Sequence, residues 1–126
     1  MRTTKMTGKL AWKRVYDPVE SEDGARILVD RLWPRGIKKE DLKLDDWIKS
    51  VTPGGELRKW FGHREERWEE FSKRYRKELD ALSEEDWKPL LEWIKKGKVT
   101  LLTASKNRER HHVLVLIEVL KEKFGA

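Results

Sequence analysis

Ile27-Leu28-Val29-Asp30-Arg31-Leu32-Trp33-Pro34-Arg35-Gly36 passes from an unbroken aliphatic run into a turn that carries two guanidinium groups. An apolar centre without alternation is the pattern of a strand covered on both faces, as in parallel sheets. Pro34 fixes its own φ and biases Trp33 away from helix, while Gly36 permits a turn, so Arg35 is held near the strand exit. A second aliphatic strand, Val99 to Leu102, runs into another basic turn, Ser105-Lys106-Asn107, read as opening a helix. If the two strands are parallel neighbours, both turns meet at the carboxyl edge of the sheet, where open α/β folds bind ligands.

The rest of the chain is read around these two strands. Leu10 to Tyr16 forms a partly exposed first strand ending at the turn signal Asp17-Pro18, and Asp23-Gly24 closes the polar loop that leads into a central strand, Arg26 to Leu32. That loop is too short for a crossover helix, so the first two strands are either antiparallel or joined in a way that leaves strand order open. Leu42, Leu44, Trp47 and Ile48 belong to one or two short helical turns. Thr52-Pro53 supplies an N-cap and a first-turn proline for a helix through Leu57, Trp60 and Phe61 to Gly62. Trp68, Phe71, Tyr75, Leu79 and Leu82 recur at three and four, predicting an amphipathic helix over Arg64 to Leu82 with a core-facing aromatic stripe. Pro89 is tolerable only in a first turn, which puts the next helix start near Asp86, and Gly97 ends it. The third strand is Val99 to Thr103 and the final helix Asn107 to Phe124.

These elements read as an α/β fold: a small single domain of two or three layers, with a short, mostly parallel central sheet flanked by helices. At 126 residues one ordinary core is the expectation, spanning 1–126 with residues 1–8 flexible. The net charge of +6 favours anionic partners without choosing among phosphate metabolites, nucleic acid and acidic lipid. With no cysteine, disulfides, thiolate metal sites and a cysteine nucleophile are excluded. No secretory core or bilayer-length run is present, so the chain reads as cytoplasmic, off the membrane, and a monomer or homodimer. Charged residues at 41%, no Gln and a single Asn fit a thermophile's preference for ion pairs over labile amides.

The candidate ligand-binding residues are Arg31, Arg35, Ser105, Lys106 and Asn107, which would gather cationic groups and helix-terminal N–H donors around one phosphate or carboxylate. The bland alternatives are that Arg31 and Arg35 pair with Asp30, Asp45 or Asp46, and that Ser105 or Asn107 merely caps a helix. His112 is the candidate proton carrier of the histidine pair, since adjacent helical residues point about 100° apart, and Asp30 is its companion. No carboxylate or histidine spacing suggests a metal site, and no cofactor is called for.

Lys13-Arg14-Val15-Tyr16-Asp17-Pro18, Asp23-Gly24, the run Arg26 to Gly36, Glu56-Leu57-Arg58-Lys59-Trp60-Phe61, and Tyr75 with Glu78-Leu79 resemble the YeaO-like proteins, a domain family of unknown function. The resemblance covers Lys13 to Leu120 and implies a small α/β domain with a parallel core sheet, carrying no activity with it. Longer relatives in the wider family look like they bear cysteine, acid and Cys-His residues where this chain has Thr103, Ser105 and His111-His112. Only Lys106 and His112 match, which favours binding over catalysis. The leading expectation is therefore a basic pocket for an anionic small molecule, which as an enzyme would use His112 or Asp30 to move a proton. The alternative is a nucleic-acid-binding module, motivated by Arg2, Lys5, Lys9, Lys13 and Arg14. A third reading is a subunit whose exposed tryptophans contact another protein.

Overall fold

In the computed structural model, which describes residues 10–126, four strands run in one direction. They are β1 (Leu10–Arg14), β2 (Ala25–Leu28), β3 (Asp46–Trp47) and β4 (Val99–Thr103), in the spatial order β1-β4-β2-β3. The helices are α1 (Lys39–Leu42), α2 (Gly55–Phe61), α3 (Trp68–Asp80), α4 (Glu84–Lys96) and α5 (His112–Phe124). The sheet is thus entirely parallel, and the two aliphatic strands are the interior neighbours: Ile27 sits opposite Leu101 and Leu28 opposite Leu102. Residues 1–8, expected to be flexible, and the basic side chains of Arg2, Lys5 and Lys9 lie outside the described residues.

Both faces of the sheet are covered, which is why its inner strands show no alternation. Leu10, Ile27, Val29, Val99 and Leu101 face α2 to α5 and pack with Leu57, Phe71, Tyr75, Leu79, Trp87, Leu90, Val113 and Leu116. The opposite face, Leu28 and Leu102 with Val15, is closed by a thinner cover of Trp33, Ile37, Leu42, Leu44 and Trp47. No helix among the described residues is long and apolar enough to cross a membrane.

β1 and β2 are parallel but do not touch, because β4 lies between them. A ten-residue return replaces the missing crossover helix, and polar contacts hold it to the sheet. Lys13 Nζ donates to the Pro18 carbonyl, Glu20 and Asp23 at 2.6, 2.8 and 2.9 Å. Asp23 also pairs with Arg26 at 2.5 Å, and its carbonyl accepts from Thr100 Oγ1 at 2.7 Å. Asp23 and Arg26 are both buried, and each has its partners.

The structure corrects several expected boundaries. β1 stops at Arg14 and β2 at Leu28, and the segment expected to be helical turns contains both α1 and the strand β3. Its four apolar residues satisfy either period; the open edge of β2 decides, with Asp45 N donating to Arg26 O and Ile48 N to Leu28 O. α2 begins at Gly55, with Gly54 and not Thr52 at the N-cap. α3 is shorter than the expected Arg64 to Leu82, following a 3₁₀ turn at Glu65–Arg67. α4 starts at Glu84 because Ser83 and Asp86 form a reciprocal capping box, and Pro89 lies inside the helix. α5 begins at His112, five residues later than expected.

Gly24 turns the chain into β2 at φ +66°, and a Cβ there would collide with the backbone carbonyl of Lys98, which accepts from Ala25 N at 2.9 Å. Gly24→Ala should therefore cost about 2 kcal/mol or more, combining left-handed strain with displacement of β4, as read from urea denaturation.

Candidate functional site

The carboxyl ends of β2 and β4 lie side by side, yet the chain leaves them toward opposite faces of the sheet. After β2 it covers the face of Leu28 and Leu102; after β4 it crosses to the helical face and enters α5. Such a divergence is where open parallel sheets leave a crevice. Asp30 sits in it. One carboxylate oxygen accepts from Thr103 Oγ1 at 2.8 Å and the other from the Ala104 backbone N–H at 2.7 Å. His112 Nε2 lies 3.3 Å from the first of these oxygens. Burial by itself would raise the Asp30 pKa, but the donors from His112, Ala104 and Thr103 outweigh it and hold the carboxyl below its ordinary value.

His112 Nε2 is also 2.7 Å from the Val29 carbonyl oxygen. A carbonyl only accepts, so Nε2 carries the proton, and in the neutral ring Nδ1 is the nitrogen with a lone pair. The ring meets that of Tyr75 edge-on, centroids 6.0 Å apart. Tyr75 is fully buried, its hydroxyl donates to the Val51 carbonyl at 2.6 Å, and burial raises its pKa well above the usual value. Tyr75, expected only as core, thus packs against the histidine; helical periodicity shows that a side chain is buried but not what it touches.

His111 turns the other way, into the core, edge-on to Trp12 with centroids 4.2 Å apart. Only 2% exposed, it has no hydrogen-bond partner for either ring nitrogen. Burial, with the neighbouring His112, lowers its pKa to about 4.

The basic turns converge at the end of β1. Arg14 Nε donates to the Ser105 carbonyl at 2.7 Å, and the hydroxyl of Tyr16 donates to the Arg35 carbonyl at 3.0 Å. The Arg14 guanidinium lies 5.0 Å from the centre of the Tyr16 ring, linking the two contacts. Arg31 is anchored through Nε to the Pro53 carbonyl at 3.3 Å. The acids considered as its partners are engaged elsewhere: Asp45 with Arg26 N, Asp46 with Trp93 Nε1, and Asp30 as described. Among the described residues Arg31, Arg35 and Lys106 are exposed and make no ion pair.

Ser105 and Asn107 make hydrogen bonds within and beside their loop. Ser105 N–H donates to Thr103 Oγ1, and Asn107 Oδ1 accepts from the N–H groups of Glu109 and Arg110 while Nδ2 donates to Glu65. They shape the loop rather than open a helix, because α5 starts only at His112. Arg14 and Tyr16 were missed as parts of this rim; the only local signal was a basic and an aromatic residue alternating at a strand end. A cleft of about 430 Å³ lies away from the rim, bounded by Leu10, Leu91, Ile94, Lys95, Phe124, Gly125 and Ala126.

The buried His111 sets an acid limit on stability. Between pH 6.5 and about 4 the unfolded chain holds a proton at His111 that the folded chain lacks, so stability falls as pH is lowered through this window. The full loss is roughly 3 kcal/mol. Asp30, with a depressed pKa, adds its own loss only below the ordinary carboxylate range. His111→Leu should flatten the stability profile between pH 7 and 4.5, measured by urea denaturation at each pH, and leave the steeper loss at lower pH in place.

Residues 9–126 match the family model described as the inactive DUF488-N3 subclade. The chain is 51% identical over 109 residues to the uncharacterized protein YeaO of Escherichia coli K12, covering 86% of this chain and 94% of that protein. It is 42% identical over 110 residues to the uncharacterized protein Rv3073c of Mycobacterium tuberculosis H37Rv, covering 85% and 89%. No solved structure matches the chain significantly. By the match of residues 9–126 to that family model and the 51% identity to YeaO over most of both chains, the chain belongs to the YeaO-like proteins of the DUF488 family.

Proposed function

We propose that this protein is a binding module for a phosphate- or carboxylate-bearing small molecule, held at the carboxyl edge of the sheet by Arg31, Arg35 and Lys106. The observation that carries this reading is the pair of contacts at and just beyond the end of β1, Arg14 to the Ser105 carbonyl and Tyr16 to the Arg35 carbonyl, which tie the loops bearing Lys106 and Arg35 to one strand end. Three cations that make no ion pair among the described residues create a positive field that an anion relieves. Binding is favoured over turnover because Asp30 and the Nε2 of His112 are committed to each other and to backbone groups. The family description, inactive, agrees with that reading. If a substrate is turned over, His112 Nδ1 is the group that would move a proton, with Asp30 orienting the ring from the other side.

Charge-assisted hydrogen bonds contribute about 1.5–3 kcal/mol each, so losing two should be plain in affinity. Arg35→Ala with Lys106→Ala should weaken pyrophosphate binding by about tenfold or more in calorimetric titration, while the melting temperature stays within a few degrees of the parent. Unchanged affinity would remove the rim from consideration. A duplex or single-stranded oligonucleotide that binds more tightly than pyrophosphate, with a steep loss on raising salt, would move the assignment to nucleic acid.

A further inference from the structure

The crevice between β2 and β4 has the makings of an oxyanion site, and an anion is already in it. Two adjacent donors, the Thr103 hydroxyl at 2.8 Å and the Ala104 backbone N–H at 2.7 Å, hold the Asp30 carboxylate, and His112 Nε2, which donates to the Val29 carbonyl, stands 3.3 Å from it. His112 is the first residue of α5, a helix of 13 residues. The Asp30 side chain is 16% exposed and that of His112 15%, so the crevice can be reached from solvent. Donors at a switch point of a parallel sheet are the usual equipment for holding a ligand's carboxylate or phosphate oxygen. Here they are spent on a side chain two residues beyond the end of β2.

We propose that Asp30 is a built-in occupant of this crevice, an intramolecular carboxylate that seals an oxyanion site against external ligands and so leaves only the outer basic rim open to them. The sealing is entropically favoured, because the carboxylate is tethered beside its donors and a free anion must lose translational freedom to replace it. Removing the side chain while leaving the donors should therefore convert the crevice into a site for a small carboxylate. Formate is the matching probe, since it has the two oxygens of the Asp30 carboxylate on a single carbon. This inference does not depend on the outer rim binding anything.

The test uses the full chain with Asp30→Gly and melts it in sodium formate against sodium chloride at equal ionic strength. Asp30→Gly alone should melt about 5 °C or more below the parent, since the Thr103 hydroxyl and the Ala104 N–H lose their charged acceptor. Formate, and not chloride, should raise that melting temperature with saturation, as a bound ligand does. The parent should not respond. Asp30→Asn should also stay unresponsive, because its amide still fills the space, and adding Thr103→Val to Asp30→Gly should abolish or strongly weaken the rescue. Equal effects of formate and chloride on Asp30→Gly, or an equal formate response in the parent, would overturn the proposal. Should Asp30→Gly fail to fold in chloride, its refolding yield is compared in the two salts: recovery in formate alone supports the proposal, and no recovery in either overturns it.

Discussion

One carboxylate joins segments of this molecule that lie more than seventy residues apart in the chain. Asp30, just beyond β2, takes hydrogen bonds from Thr103 and Ala104 at the end of β4 and lies 3.3 Å from His112 Nε2 at the start of α5. Both donors have a charged acceptor, and deleting it would leave the Thr103 hydroxyl and the Ala104 N–H without one at once. The contact also orients His112, whose Nε2–H is shared with the Val29 carbonyl, and the ring in turn packs against the buried Tyr75. Strand exit, loop entry and helix start are thereby coupled through a single group.

A second polar device permits the unusual economy of the topology. Parallel strands ordinarily need a long crossover, yet β1 and β2 are joined by a short return containing only a 3₁₀ turn. The solution is to insert β4 between them and to pin the return with Lys13, Glu20, Asp23 and Arg26, two cations paired with two carboxylates. Replacing one member alone would strand the others in a poorly solvated place, so the network acts as a unit.

The two regions give the carboxyl edge a divided character. Its interior is electrostatically closed, with acid and histidine paired, whereas its outer loops carry arginines and a lysine without acidic partners among the described residues. The inner groups are engaged with one another, in a chain that matches the model of a subclade described as inactive.

Much of this was legible in the residues themselves. The unbroken aliphatic runs of Ile27 to Val29 and Val99 to Leu102 determined that two strands are buried on both faces, and the three- and four-residue spacing from Trp68 to Leu79 determined α3, because periodicity is a local property of the chain. Strand order, the two-residue β3 and the late start of α5 were decided only by tertiary structure, since each depends on which backbone groups are left unpaired by a neighbour. The same holds for the site. Sequence could nominate Asp30, Arg31, Arg35, Lys106 and His112 by residue type and position, but only the packed sheet decided that Asp30 accepts from Thr103 and Ala104 and that Arg31 and Arg35 make no ion pair among the described residues. A carboxylate's partners are chosen by three-dimensional proximity, which acts across more than seventy residues of chain here and leaves no local trace.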